Sequence, residues 1–223
     1  FLGYQAGFTN TTGSYNNATG FQALYSNTIG IRNSATGYQA LYSNTEGNYN
    51  SASGVLALHF NTTGDYNVAS GYLALYYNTE GSYNSAFGYT ALRSNTLGNY
   101  NSANGFRALF NNTEGINNSA MGYQALYNNI DGNNNSATGT SALFTNTTGD
   151  NNIAMGYQAG DNITTGSNNI MMGYNIDAPI ATGSNQMSIG NLIYATGVDG
   201  TGATVSTGNV GIGISLPTEK LHV

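Results

Sequence analysis

The residues best suited to chemistry in this chain are acids, and most of them recur at a fixed spacing. One position of a 17-residue period carries Glu46, Glu80, Glu114 and Asp131. The position two residues further on carries Asp65 and Asp150. No unit carries both. Because two carboxylates in one turn would repel, this exclusion favours a solvated surface that limits aggregation. The alternative is a calcium site, which needs about six to eight oxygens, with Asp65 next to Glu46 and Glu80.

The other candidate catalytic groups stand alone. His59 lies where most units carry an aromatic residue, which favours a surface substitution, and His222 has no partner in the sequence. The glycines of residues 208–213 are in the wrong order for a dinucleotide-binding loop, and no helix follows them. A hydrolase or transferase needs unique groups gathered at one place. We therefore predict no catalytic residues, no cofactor, no metal site and no enzyme activity.

Tyrosines and threonines form two further series. Tyr49, Tyr66, Tyr83 and Tyr100 recur at the period and form the candidate ligand face, because stacked rings with polar tips suit sugars. Stacking for stability alone is the favoured alternative. Threonines recur from Thr11 to Thr113 and raise an ice-binding alternative, although threonine also favours strands and turns. If the tyrosines bind a ligand, they should be at least partly open to solvent on the outside of the assembly.

The period itself predicts the fold. Glycines recur every 17 residues from Gly3 to Gly190, with a second series from Gly13, so eleven units cover residues 3–189 without insertion or deletion. We number the columns of the unit from its first glycine. Columns 4, 5 and 16 are mostly alanine, leucine and alanine and predict a core. Columns 8 and 14 are mostly asparagine and predict turns with amide ladders, since asparagine tolerates left-handed geometry.

Seventeen residues are too few for two packed helices but suffice for two short strands and two turns. We place one strand at columns 15–17 and 1, as in residues 85–88, and the other at columns 2–6, as in residues 38–42. The sequence therefore predicts an all-β parallel solenoid, or β-roll, of 17-residue coils, about 50 Å long. Aromatic residues in columns 2 and 6 cannot all fit inside so thin a coil, which predicts a parallel homotrimer. Residues 190–223 form a Gly/Thr-rich junction.

Composition excludes several classes of protein. Only 6% of residues are charged, cysteine is absent, and the net charge of −6 has the wrong sign for a nucleic-acid partner. No run approaches the roughly 18 apolar residues of a membrane span, so no membrane insertion of this segment is expected. Phe1 begins in the middle of the repeat pattern, from which we expect a piece of a longer protein.

Two segments resemble known fibre proteins. Units such as residues 84–92 and 118–126, written Asn-Ser-Ala-x-Gly-Tyr-x-Ala-Leu, resemble the head repeats of trimeric autotransporter adhesins. Residues 208–223 are similar to the segment before the endosialidase-type intramolecular chaperone of phage tail fibres and bacterial surface proteins. The resemblance implies a trimeric extracellular fibre, on a bacterial surface or a phage tail, with host-surface glycans or proteins as partners. The function predicted is a structural and adhesive fibre segment; an ice-binding or carbohydrate-binding solenoid is the alternative.

Overall fold

A computed structural model describes all 223 residues as an all-β solenoid. The chain contains no helix of the length and apolarity needed to cross a bilayer. Its strands are short and form one sheet in chain order. They are β1 (Asn17–Thr19), β2 (Ser34–Thr36), β3 (Ser51–Ser53), β4 (Val68–Ser70), β5 (Ser85–Phe87), β6 (Ser102–Asn104), β7 (Ser119–Met121), β8 (Ser136–Thr138), β9 (Ile153–Met155), β10 (Ile170–Met172), β11 (Met187–Ile189), β12 (Ile193–Ala195), β13 (Val210–Ile212) and β14 (Leu221–His222).

The strands from β1 to β11 occupy columns 15–17 and confirm the first predicted strand, except that the column 1 glycine lies outside it. Each pairs in parallel with the next, and each residue faces the one 17 positions later, as Ala18 faces Ala35. The parallel solenoid of 17-residue coils is thereby confirmed. Strand β12 pairs antiparallel with both β11 and β13, and β14 returns to parallel pairing. The junction thus extends the same sheet.

The core is a thin apolar column along the rod axis. The alanine of column 16 is fully or almost fully buried from Ala18 to Ala154, and so are the alanine and leucine of columns 4 and 5 from Ala23 to Leu143. Two small side chains and one leucine per coil allow the walls to approach closely while filling the space between them. The predicted core columns are therefore confirmed.

The second predicted strand, at columns 2–6, is wrong. Residues 38–42 form a turn in which Gln39 and Leu41 both have a φ of 51°. This segment is nevertheless bonded to both neighbouring coils: Gln39 N donates to Phe21 O at 2.9 Å, and Leu41 N donates to Ala57 O at 3.0 Å. A left-handed residue costs about 1 kcal/mol or more, and burial with inter-coil hydrogen bonds offsets that cost here.

The asparagines of column 8 form a buried amide ladder, as predicted, whereas those of column 14 bond to backbone groups of the neighbouring coils. Neither column supplies the left-handed backbone. Those conformations fall at columns 3, 5 and 13, on glutamine, leucine and tyrosine among others. Asn61 Nδ2 donates to Asn44 Oδ1 at 2.8 Å and to Gly64 O at 3.0 Å. Asn50 Nδ2 donates to the same Gly64 carbonyl at 2.7 Å. The asparagines therefore stabilise the corner, because their amides donate hydrogen bonds to its buried carbonyl oxygen.

The corner glycines are required by close approach of successive coils. A Cβ atom on Gly81 would lie 2.4 Å from Gly98 O and 2.5 Å from Asn78 Oδ1. On Gly105, whose φ is +146°, it would lie 2.3 Å from Gly122 O. Any larger residue would push the coils apart, which explains why both glycine series are nearly unbroken.

Candidate functional site

One outward strip of the rod is free of charge along its whole length. It consists of columns 15, 17 and 2, none of which carries a charged residue in any of the eleven units. Because side chains alternate across a strand, columns 15 and 17 point outward while column 16 points into the core. Large apolar side chains stand exposed on this charge-free strip, among them Val68, Phe87, Met121, Ile153 and Met155.

The rings of column 2 border the strands and stack along the axis. Tyr72, Tyr89, Phe106 and Tyr123 follow one another with ring centroids 5.1 to 5.2 Å apart. They remain 37 to 49% exposed in the single chain. Much of this aromatic surface is therefore unburied by the chain itself.

The predicted ligand face at column 13 also forms a stack. Tyr49, Tyr66, Tyr83 and Tyr100 lie 4.7 to 4.9 Å apart and within 8° of parallel. The last three are 44 to 58% exposed, whereas Tyr49 is half-buried under Arg32, which bonds to its hydroxyl. In the single chain columns 13 and 2 are exposed to a similar degree. That column 13, unlike column 2, stays open to solvent on the outside of the trimer remains a prediction.

Stacking limits what column 13 can bind. Each inner ring has both faces covered by its neighbours, so Tyr66 and Tyr83 present edges and hydroxyls. Partial loss of water, together with the neighbouring Tyr49 and Tyr83, raises the pKa of Tyr66. Its hydroxyl therefore stays a hydrogen-bond donor at neutral pH. A sugar ring could lie flat only on the outer face of Tyr100, at the end of the column.

His59 is buried, so the prediction of a surface substitution is wrong. Only 9% of it is exposed, and its ring lies between Tyr42 and Tyr76 at centroid distances of 5.1 and 5.4 Å. Its Nδ1 atom lies 3.2 Å from Gln39 O. Burial lowers the pKa of His59, which favours the neutral imidazole in the folded chain. It acts as one more ring in the column 6 stack.

The acids divide into two structural classes. Those of column 10, such as Glu46 and Glu80, are exposed as expected for a solvated surface. Those of column 12 bond to the backbone: Asn48 N donates to Asp65 Oδ1 at 2.6 Å, and Asn133 N donates to Asp150 Oδ1 at 2.6 Å. The sequence interpretation missed this role. The recurrence of short acceptors, Asn, Asp and Ser, in column 12 is the signal that could have found it.

No protein family, curated protein or solved structure matches this chain.

The arrangement of titratable groups offers little for catalysis or metal binding. No three His, Asp or Glu side chains are grouped to hold a metal ion, and Asp65 already accepts two hydrogen bonds from Asn48. The Asp161 and Asp177 carboxyls bond to each other where the leucine and aromatic columns are interrupted. Burial, and then the contact with Asp177, raises the pKa of Asp161, so Asp161 keeps its proton to a higher pH than an ordinary carboxyl. This pair was not anticipated from the sequence.

The threonine hydroxyls of column 9 are engaged within the rod. Thr28 Oγ1 donates to Thr45 O at 2.9 Å, and Thr62 Oγ1 donates to Thr79 O at 3.0 Å. The same bond recurs at Thr79 and Thr96. Because each hydroxyl hydrogen points to the next coil, this column offers methyl groups rather than a row of free donors. This geometry disfavours the ice-binding alternative.

Proposed function

We propose that this chain is a structural and adhesive segment of an extracellular fibre, assembled as a parallel homotrimer on a bacterial surface or a phage tail. In this assembly the solenoid is the rod-like shaft, and it has no enzyme activity. The resemblance of its repeats to adhesin heads and of its last residues to fibre junctions supports the same proposal.

The observation that carries the proposal is the charge-free strip. Protein interfaces are depleted of charge at their centre. The charge-free strip has this property, because every acid and arginine of the repeats lies outside columns 15, 17 and 2. The stacked rings of column 2, with Val68, Phe87, Met121, Ile153 and Met155 among small polar residues, leave apolar surface exposed along the strip, and such surface marks interaction sites. Identical rods placed side by side around one axis would cover the strip along its full length. The parallel arrangement keeps equivalent coils level with one another.

The repeated bonding suits a load-bearing role. Each coil donates main-chain hydrogen bonds to the coil before it and to the coil after it, as Gln39 and Leu41 do. Buried amide ladders run beside these bonds through most of the rod. Such a column resists bending because any kink must break several bonds at once. Stiffness and length are the properties that a shaft requires.

The mass of the protein in solution tests the assembly. We expect light scattering to give three times the 23.3 kDa chain, or about 70 kDa. The double variant Met121→Glu with Met155→Glu adds charge to two exposed strip positions and should give monomers, because burying unpaired charges in an interface is costly. The matched control, Thr63→Glu with Thr148→Glu, adds the same charge at exposed column 10 positions and should remain trimeric.

Circular dichroism distinguishes loss of assembly from loss of fold, since the substituted methionines are exposed in the single chain. If the unsubstituted protein is a folded monomer, the proposal of a trimer is wrong. Dissociation of the column 10 control would show that assembly does not depend on the strip. Adhesive function is tested separately by coating beads with the protein and measuring their retention on host-cell glycans against beads coated with albumin. Equal retention would reject it.

A further inference from the structure

Column 7 departs from the repeat at two successive coils. Most units carry Ser, Thr or Asn there, but Phe60 and Tyr77 replace them in units four and five. Their rings stack with centroids 5.7 Å apart and an interplanar angle of 4°, and they remain 37% and 40% exposed. Tyr77 is the only ring stacked parallel to Phe60, while His59 and Tyr76 meet it edge to face at centroid distances of 4.6 and 5.0 Å. Phe60 therefore offers the part of its ring that these three neighbours leave exposed.

These rings form one wall of a groove of about 550 Å³. The remaining lining comes from Ser43, Thr62, Thr79, Ser94 and Thr96, which lie in columns 7 and 9. Because the threonine hydroxyls donate to the next coil, their methyl groups face the groove, and its surface is almost entirely apolar. The Phe60 groove is therefore an open channel with an apolar floor, and it lies away from the charge-free strip.

Arg93 lies against Tyr77, beside the groove but outside its lining. Its guanidinium carbon lies 4.9 Å from the Tyr77 ring centroid and 5.5 Å from that of Phe110. The guanidinium of Arg107 lies 5.6 Å from the same Phe110 ring. Two of the four basic residues of a chain with a net charge of −6 thus meet at one ring. They are surrounded by aromatic groups rather than by carboxylates.

Two buried polar atoms near Arg93 and Arg107 have no hydrogen-bond partner. The Nε atom of Arg107 is buried without a partner, and so is the hydroxyl of Thr90, which is 4% exposed and lies in the same column one coil earlier. Buried polar groups without partners are uncommon in folded proteins. Both atoms are closed off from solvent, so the group available to a ligand anion beside the groove is the guanidinium of Arg93.

We propose that the Phe60 groove binds an oligosaccharide that carries carboxylates, such as a uronic acid chain. A sugar ring packs its apolar face on the exposed part of the Phe60 ring, and a carboxylate further along pairs with Arg93. The ligand must be longer than one sugar ring, because the Tyr77 ring separates Phe60 from Arg93. This site rests on the adhesive part of the proposed function and names its ligand class, at a position other than column 13.

Calorimetric titration of the assembled protein with a tetramer of galacturonic acid tests the site, at about 50 mM salt to limit screening. We expect binding that weakens by about tenfold or more with the fully methyl-esterified tetramer, which lacks the charge for Arg93. Arg93→Gln should weaken binding of the acid to a similar extent. The matched control Arg32→Gln removes an equal charge from column 13 and should leave affinity within about twofold.

The aromatic part is tested by Phe60→Ser with Tyr77→Ser, which restores the residue found in column 7 at Ser26, Ser43 and Ser94. This variant should fold normally and lose binding. Equal affinity for acid and ester, unchanged binding by the double variant, or no binding of the tetramer would overturn the proposal. Equal binding of tetraglutamate would show that charge alone is recognised and would reject the saccharide. Light scattering on the same sample separates failure of the groove from failure of the trimer.

Discussion

The Nδ2 atom of Asn78 donates to the Oδ1 atom of Asn61, one coil earlier, at 2.7 Å. The same nitrogen donates to Gly81 O at 2.8 Å, and Asn78 Oδ1 accepts from Asn95 Nδ2 at 2.7 Å. All three asparagines are fully buried. Each amide therefore ties two coils together and satisfies a corner carbonyl.

Replacing Asn78 with Asp tests this ladder. The carboxylate keeps the shape of the amide but places an oxygen against Asn61 Oδ1 and Gly81 O, so two donated bonds become repulsive contacts. We expect Asn78→Asp to lower the free energy of unfolding by about 2 to 4 kcal/mol. Urea denaturation followed by circular dichroism measures the change.

Asn128→Asp is the matched control for that variant. Asn128 is half-buried in column 7 and uses its Oδ1 to accept from Asn111 Nδ2 at 3.1 Å, a bond that aspartate also makes. We expect a change within about 0.5 kcal/mol. Equal midpoints for the two variants would contradict the role of the ladder.

His59 should make stability depend on pH. Burial lowers the pKa of the folded imidazole below its ordinary value of 6.5, so on acidification the unfolded chain takes up a proton before the folded chain does. The folded state therefore loses stability as pH falls below about 6.5, until its own pKa is reached. The variant His59→Tyr carries the ring that neighbouring units have at this position and does not titrate in this range.

The measurement is the difference in melting temperature between His59→Tyr and the unsubstituted protein. We expect this difference to increase in favour of the variant between pH values of about 7.5 and 5. Comparing the two proteins cancels the opposite contribution of Asp161, whose raised pKa favours stability at low pH. A difference that does not vary with pH would argue that His59 is as hydrated as in the unfolded chain.

The tyrosine stack of column 13 should be dispensable for folding. Replacing Tyr49, Tyr66, Tyr83 and Tyr100 together with asparagine removes three stacked pairs worth about 0.5 to 1.5 kcal/mol each. Asparagine adopts the left-handed backbone of this column more readily than tyrosine, and it already occupies the column from Asn117 onward. This preference offsets part of the lost stacking free energy. We expect a folded assembly whose melting temperature falls by less than about 10 °C.

The control for that variant places valine at the same four positions. A β-branched side chain is strongly disfavoured at φ values of 56 to 60°, so the valine variant should fail to fold. Folding of the valine variant, or collapse of the asparagine variant, would mean that the column is held by something other than its backbone conformation.

The period made the solenoid and its core predictable. Alanine at columns 4 and 16 and leucine at column 5 recur in most units, so burial of Ala91 or Leu92 follows from stacking equivalent positions. The turn at columns 2–6 could not be predicted in this way. Leucine has no preference for a left-handed φ, and Leu41 adopts one because the adjacent coils impose it through hydrogen bonds.

The functional surfaces were harder to predict than the fold. Burial of His59 depends on how column 6 packs against column 3 of a neighbouring coil, which spacing along one coil does not reveal. The Phe60 groove arises from two departures that are minor in the repeat but fall on successive coils. The groove that we propose as a binding site is therefore formed by exceptions to the consensus.

The bonding of every coil to its two neighbours also makes length a property that changes in fixed steps. Inserting or deleting a whole 17-residue unit re-forms each ladder, whereas a shift of one residue would bring core alanines to the surface. Recombination between near-identical repeats can therefore lengthen or shorten the rod by about 4.8 Å per unit without altering its cross-section. The length of the rod can therefore change during evolution while its surface columns stay the same.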